Sequence, residues 1–283
     1  MEPVVAAWFG GSFSPPTVAH IDVINAVGSK LREIRGPCTV YVVPVSQKYP
    51  KASIQCVNLE TRLALMAAFI EDIRDKARAG GIGEEVQFEL MDYEMKDERE
   101  GGVPTVDSLT TLKELLSKDK PVDLYLAQGQ DNMLAILQGK WKKTDVLLEY
   151  PMMIFPRGAG DDYRETLKAG VDEYVAKNPG KVINPLSYTK IDTLTPVTAV
   201  SAEFRDETSS SEVRKLFREG RDEEASALLS PRVADVLRKA NPYRSLACEP
   251  AAAAAKGGRR TRGRRSSKTK AKKSRRRQRG YKH

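Results

Sequence analysis

The apolar run from Val4 to Phe9, followed at once by Gly10 and Gly11, constrains the fold of this chain more than any other segment. Six apolar residues in succession suit a strand buried on both faces. Behind the glycines, Val18, Ile21, Ile24, Val27 and Leu31 recur at steps of three and four, the pattern of a helix with one apolar face. A strand, a glycine turn and a helix make a β-loop-α unit, and repeated units of this kind build a parallel sheet.

The alternation continues. Thr39–Pro44 reads as a second strand, and Asn58 can cap a long helix carrying Leu63, Met66, Ile70 and Ile73. Val86–Met91, Val122–Ala127 and Met152–Phe155 supply three more strands, with a helix over 105–117 between the first two. Later segments suggest a helix over 161–178, short strands at Val182–Asn184 and Val197–Val200, and helices over 211–219, 222–229 and 231–240. The expected fold is α/β, a doubly wound parallel sheet with a helical C-terminal portion.

The formal charge of +9 changes meaning once it is mapped. Residues 256–283 hold 15 Lys and Arg and no acid, so the other 255 residues carry 32 basic against 38 acidic side chains, a net of −6. A segment whose aliphatic content is Ala271 alone cannot bury enough apolar surface to offset ordering, so a disordered basic tail is expected. The reading therefore divides the chain into a folded body, 1–247, and a low-complexity tail, 248–283. Such a tail suits polyanions or an import receptor, and places the protein in nucleus or cytoplasm.

No run reaches the roughly 20 apolar residues of a membrane span, and Met1–Val4 shows no secretory signal, so an intracellular protein without membrane contact is expected. Cys38, Cys56 and Cys248 are scattered and odd in number, fitting neither a disulfide framework nor a zinc spacing, and are read as free thiols. No metal-ligating residues are proposed.

Chemistry concentrates in Gly10–His20, at the junction of the first strand and first helix. Glycines let free amides approach an anion, and the helix start near Thr17 adds about half a positive charge, so a phosphate belongs there. Neither a Walker A loop nor Gly-x-Gly-x-x-Gly is present. His20 is the one imidazole of the folded body, since the other histidine is His283. A second run, Thr208–Arg214, opens a helix; Ser209 and Glu212 would also satisfy a capping box on their own.

Together these runs resemble the nicotinamide and nicotinate mononucleotide adenylyltransferases of the nucleotidyltransferase superfamily, over about residues 4–243. Gly11, Ser12, Phe13, Thr17 and His20 match a Gly-x-Phe-x-Pro-x-(His/Thr)-x-x-His signature in the Thr form common in eukaryotic-type members. Ser210, Ser211 and Arg214 match an Ile-Ser-Ser-Thr-x-Ile-Arg motif, which implies that they hold the triphosphate. Gly129 and Asp131 match Gly-x-Asp, implying ribose contacts, from a loop that would face the glycine run where the strand order reverses. Lys51, with Lys48 as a substitute, and Arg157 sit where the family places cations on phosphate. Thr105 and Ser108, in a stretch like Thr-x-x-Thr-Leu, and Trp141, like the indole on the pyridine ring, would join Ser12 and Phe13 in binding the mononucleotide.

The resemblance implies an enzyme of NAD biosynthesis. ATP and nicotinamide or nicotinate mononucleotide would give the dinucleotide and pyrophosphate by direct in-line attack, with Mg²⁺ carried on the ATP phosphates. A phosphate monoester with a second pKa near ~6 is already largely anionic at neutral pH, so His20 is better cast as a donor than as a base. Arg214 shares that catalytic role. A homo-oligomer is expected. Two alternatives remain: a sister transferase acting on phosphopantetheine, glycerol phosphate or a flavin mononucleotide, and a nucleic-acid-binding protein acting through its tail.

Overall fold

A computed structural model describes residues 2–118, 120–155, 162–181 and 208–248. Five parallel strands form one sheet: β1 (Val4–Gly11), β2 (Cys38–Pro44), β3 (Val86–Leu90), β4 (Val122–Gly129) and β5 (Met152–Phe155), in the order β3-β2-β1-β4-β5. The order reverses between β1 and β4, which pair from Val4 opposite Val122 to Phe9 opposite Ala127. The doubly wound sheet expected from the alternation of elements is therefore present.

Among the described residues, these helices accompany the strands: α1 (Val18–Arg35), α2 (Ala52–Gln55), α3 (Leu59–Ala79), α4 (Thr105–Leu116), α5 (Gln130–Leu137), α6 (Thr144–Leu147) and α7 (Asp162–Lys177). Asn58 caps α3 as expected, its Oδ1 accepting the Thr61 amide at 2.8 Å. Period-2 alternation in β1 sorts its side chains into two cores. Val5, Ala7 and Phe9 join Ile24, Val27, Leu65 and Phe69 of α1 and α3, whereas Ala6 and Trp8 join Leu109 and Leu112 of α4 and Met133 of α5. Each face of the sheet is covered, which explains why the strands read as unbroken apolar runs.

The C-terminal portion is helical as expected: α8 (Ser210–Arg218), α9 (Asp222–Ala227) and α10 (Pro231–Lys239), then 3-10 turns at Pro242–Arg244 and Leu246–Cys248. Val233, Ala234 and Leu237 of α10 join the core cluster that holds α3. Arg232 Nη1 also donates to Asp72 at 2.7 Å. No described helix is long and apolar enough to cross a membrane. The short strands expected at 182–184 and 197–200 and the basic tail from 249 lie outside the described residues.

The cysteines correct the sequence reading. Cys56 and Cys248 form a disulfide, with Cα atoms 5.2 Å apart across 192 residues. Cys38 stays free and buried, its thiol pushed up to about 11 by burial. Scattered spacing hid the pair because contact depends on the last turn returning to the end of α2. Cys248, placed at the head of the tail by the sequence reading, is wholly buried and belongs to the body.

Candidate active site

Gly10 and Gly11 were expected to turn the chain. Both are instead the last residues of β1, opposite Val43 and Pro44. The reversal falls at Phe13, whose φ of 43° is a left-handed conformation that costs a non-glycine residue roughly 1 kcal/mol or more. Packing holds it there: the Phe13 ring is buried within 5.6 Å of Phe69 and 5.3 Å of His20. What the glycines supply is space. A Cβ on Gly10 would lie 1.9 Å from the Trp8 indole, and one on Gly11 would lie 3.0 Å from the Phe13 ring.

Thr17 is the N-cap of α1, and this settles how His20 is held. The Thr17 amide donates to His20 Nδ1 at 3.2 Å, and the Thr17 hydroxyl lies 2.7 Å from the same nitrogen. An Nδ1 that accepts cannot carry the ring proton in the neutral imidazole, so the proton sits on Nε2. The histidine is thereby fixed as an Nε2–H donor.

The second wall comes from the other end of the chain. Ser209 caps α8 by accepting the Glu212 amide at 3.2 Å, while Ser210 Oγ donates to the Pro15 carbonyl at 2.8 Å. Arg214 is buried; its Nη1 donates to the Ser14 carbonyl at 2.7 Å and its Nη2 to Ser211 Oγ at 3.1 Å. Lys51, the N-cap of α2, donates to Ser12 Oγ at 3.1 Å. Ser209 therefore caps α8 as its spacing alone suggests, and the same helix start lines a crevice.

These elements enclose a crevice of about 380 Å³ beside the point where the strand order reverses. Gly11, Ser12, Phe13, Thr17, His20, Lys51, Gly129, Ser210, Ser211 and Arg214 all line it. The starts of α1 and α8 both open onto it, so two helix dipoles add to Lys51 and Arg214, and no carboxylate of the described residues is among the lining side chains. A cationic crevice in a mildly acidic body is built for an anion.

Sequence reasoning missed Gln128, Asn132 and Phe155, which also line the crevice. Gln128 is buried and accepts from Asn132 Nδ2 at 2.7 Å. The signal was available: β4 runs through Gly129, so Gln128 sits at the strand's carboxyl end beside the switch point. Asp131, by contrast, lies exposed in the first turn of α5 and outside the crevice wall. Arg157 lies outside the described residues.

Thr105, Ser108 and Trp141 are not among the residues that line this crevice; Ser108 anchors a buried polar cluster, and Trp141 packs on the apolar core of that face of the sheet. Ser108 is wholly buried and accepts from Trp8 Nε1 at 2.9 Å, and the Tyr93 hydroxyl donates to the Ser108 carbonyl at 2.9 Å. Glu94, also buried, bonds to the Ser108 hydroxyl; burial pushes its carboxyl up to about 7, against the opposing pull of that bond and of Arg99. Burial likewise pushes Tyr93 up to about 12. At the mouth of this cluster Asp107 joins Arg99 at 3.3 Å and Lys143 at 3.1 Å. The second contact ties the half-buried Trp141 loop to α4, which Thr105 opens.

A family model described as cytidylyltransferase-like matches residues 8–216, a span that begins in β1 and ends in α8. The chain belongs to the cytidylyltransferase-like family. Among curated relatives, a probable nicotinate-nucleotide adenylyltransferase of Sulfurimonas denitrificans is 28% identical over 173 residues, covering 60% of this chain and 80% of the relative. A second protein of that description, from Maridesulfovibrio salexigens, is 29% identical over 125 residues, covering 44% of this chain and 48% of its own length. The solved nicotinic acid mononucleotide adenylyltransferase of Plasmodium falciparum shares the fold, with a TM-score of 0.52 and 21% identity, covering 86% of this chain and 98% of that one. The family's span thus takes in both walls of the crevice.

Proposed function

We propose that this chain is a nicotinate- or nicotinamide-mononucleotide adenylyltransferase, joining ATP to the mononucleotide to give a dinucleotide and pyrophosphate in NAD biosynthesis. The observation that carries the reading is the crevice itself, where His20 Nε2–H, Lys51, Arg214 and two helix starts converge while no carboxylate of the described residues intrudes. The names of the curated relatives point the same way.

The mononucleotide 5′-phosphate attacks the α-phosphorus of ATP, the bond to the β-phosphate oxygen breaks, and pyrophosphate leaves. Holding the two anions in line contributes on the order of 7–11 kcal/mol, and fixed donors aimed at the transferring group contribute a further few. His20 and Arg214 are those donors, with the amides near Gly11 and Ser12. Mg²⁺ fits as a passenger on the ATP phosphates: the lining groups are hydroxyls, amides and cations, and the described residues hold no cluster of metal-ligating side chains. Bound there, it would neutralise charge on the leaving phosphates.

The helix start at Thr105 and the Trp141 loop form the mononucleotide side, while Ser108, expected there from the resemblance, is wholly buried and holds the Trp8 indole instead. Trp141→Ala raises the KM for the mononucleotide and spares that for ATP; an unchanged KM would return Trp141 to a packing role. The basic segment beyond residue 255 serves polyanion or import-receptor contact and is dispensable for turnover, which removal of residues 249–283 tests directly. Assay of ATP and Mg²⁺ with nicotinate and nicotinamide mononucleotides tests the function. Failure of both, with turnover of phosphopantetheine, glycerol phosphate or a flavin mononucleotide, would replace this reading with a sister activity.

A further inference from the structure

The disulfide sits at the back of the phosphate crevice. Cys56 ends the single turn of α2 that Lys51 opens, so the cation that touches Ser12 and the half-cystine are the two ends of one short element. A four-residue helix does not hold itself in place; anchors must fix it. Gln47 Nε2 supplies one, donating to the Ile54 and Val57 carbonyls at 3.3 and 2.8 Å. The Ser53 carbonyl supplies another, accepting from the Ser14 hydroxyl in the middle of the phosphate loop.

Cys248 supplies the third anchor, from the far end of the body. Five residues before it, Tyr243 is wholly buried, and its hydroxyl lies 3.2 Å from the Ser14 hydroxyl. Ser14 in turn offers its carbonyl to Arg214. The last turns of the body therefore grip the phosphate loop through Tyr243 and the Lys51 element through the disulfide.

We propose that Cys56 and Cys248 form a reversible modification site at which low-molecular-weight thiols and disulfides set the affinity of the crevice for ATP. This rests on the reading of Lys51 as a phosphate contact. Cys56 is half-buried and Cys248 wholly buried, so an incoming thiolate attacks Cys56 Sγ. The S–S bond breaks, its electron pair leaves on Cys248 Sγ, and that sulfur takes a proton; the Pro242 carbonyl, 3.3 Å away, accepts the new S–H. A second external thiolate then attacks the external sulfur of the mixed disulfide, releasing Cys56 as a thiol. Two external thiols are oxidised to one disulfide, and two electrons and two protons reach the protein. Oxidation by a small disulfide runs the same steps backwards. Cys38, buried and with a raised thiol pKa, stays outside the exchange.

The test uses the full chain equilibrated with reduced and oxidised glutathione at ratios spanning full reduction to full oxidation. Free thiols are counted by alkylation and mass spectrometry. Going from oxidised to reduced, the count rises from one to three and the KM for ATP rises roughly threefold to tenfold, the net worth of one ordinary hydrogen bond, since Lys51 is displaced rather than removed. The KM for the mononucleotide holds. Cys248→Ser and Cys56→Ser sit at the reduced KM at every ratio, while Cys38→Ser responds like the parent. Circular dichroism of the reduced parent separates loosening of the crevice from unfolding; loss of its helical signal would overturn the proposal. So would a KM for ATP that stays constant as the thiol count changes, or a count of three at every ratio. Equilibrium dialysis with labelled ATP reads the same shift without turnover. An enzyme that binds ATP in this redox-dependent way yet transfers nothing to a pyridine mononucleotide would refute the proposed function alone.

Discussion

Replacing Gly10 with alanine is the sharpest probe of the strand-to-loop junction. The new Cβ would fall 1.9 Å from Trp8 Cη2, 2.4 Å from Cζ2 and 2.6 Å from Cζ3. The indole cannot swing freely, because Trp8 is 4% exposed and its Nε1 donates to the buried Ser108 hydroxyl at 2.9 Å. Forcing a methyl into a filled core costs about 1–3 kcal/mol, and displacing a buried indole N–H from its acceptor about 1–3 kcal/mol more. The lost unfolded-state freedom of glycine returns up to about 1 kcal/mol, leaving a net cost of roughly 1–6 kcal/mol. Urea unfolding of Gly10→Ala, Trp8→Leu and the double variant measures it. The double variant should lose less than the sum of the singles, since the smaller side chain removes the clash. A Gly10→Ala protein within about 0.5 kcal/mol of the parent, or strictly additive losses, would refute the reasoning.

Three other outcomes follow from the same geometry. His20→Ala lowers kcat by about 10²–10³ with the fold intact, the usual cost of one transition-state donor; near-normal turnover would remove His20 from the chemistry. Thr17→Val keeps the backbone bond to Nδ1 but deletes the hydroxyl beside it, so kcat falls by a smaller factor and KM for ATP moves little; a variant as inactive as His20→Ala would show that Thr17 itself meets the phosphate. Glu94 sets a pH dependence of stability. Its carboxyl is held at about 7 in the fold against an ordinary value of 4.5, so the native state keeps a proton that the unfolded chain has lost. That contribution is complete below 4.5 and lost as pH rises through 7, on the order of 3 kcal/mol in all. Urea midpoints of the parent should fall relative to Glu94→Gln between about pH 5 and about pH 8, and parallel curves would contradict the burial account.

Much of this architecture was legible in the residues because the signals were local. The apolar run of β1, the three-and-four spacing of α1 and the Asn58 cap each depend on neighbours in sequence. The crevice was legible where motif and helix start coincide, at Thr17 to His20 and at Ser209 to Arg214. What escaped depends on tertiary return. The disulfide needs Cys248 brought back to α2, and the turn at Phe13 needs Phe69 of α3 to hold its ring. Glycine chemistry misled for a related reason: Gly10 is required by an indole two residues back that packs over it.

The joint between Ser14 and Arg214, spanning 200 residues, also orders events in time. Synthesis delivers the closing wall some two hundred residues after the glycine run. Pairings of such sequence distance are slow to close, because the intervening chain must first be organised. The folding protein therefore carries an unfinished anion cradle through most of its assembly. Ser210 reaching Pro15 and Arg214 reaching Ser14 close the crevice. A nascent chain interrupted before α8 lacks one wall of the crevice, and two fragments cut between β5 and α8 would have to find each other to complete it.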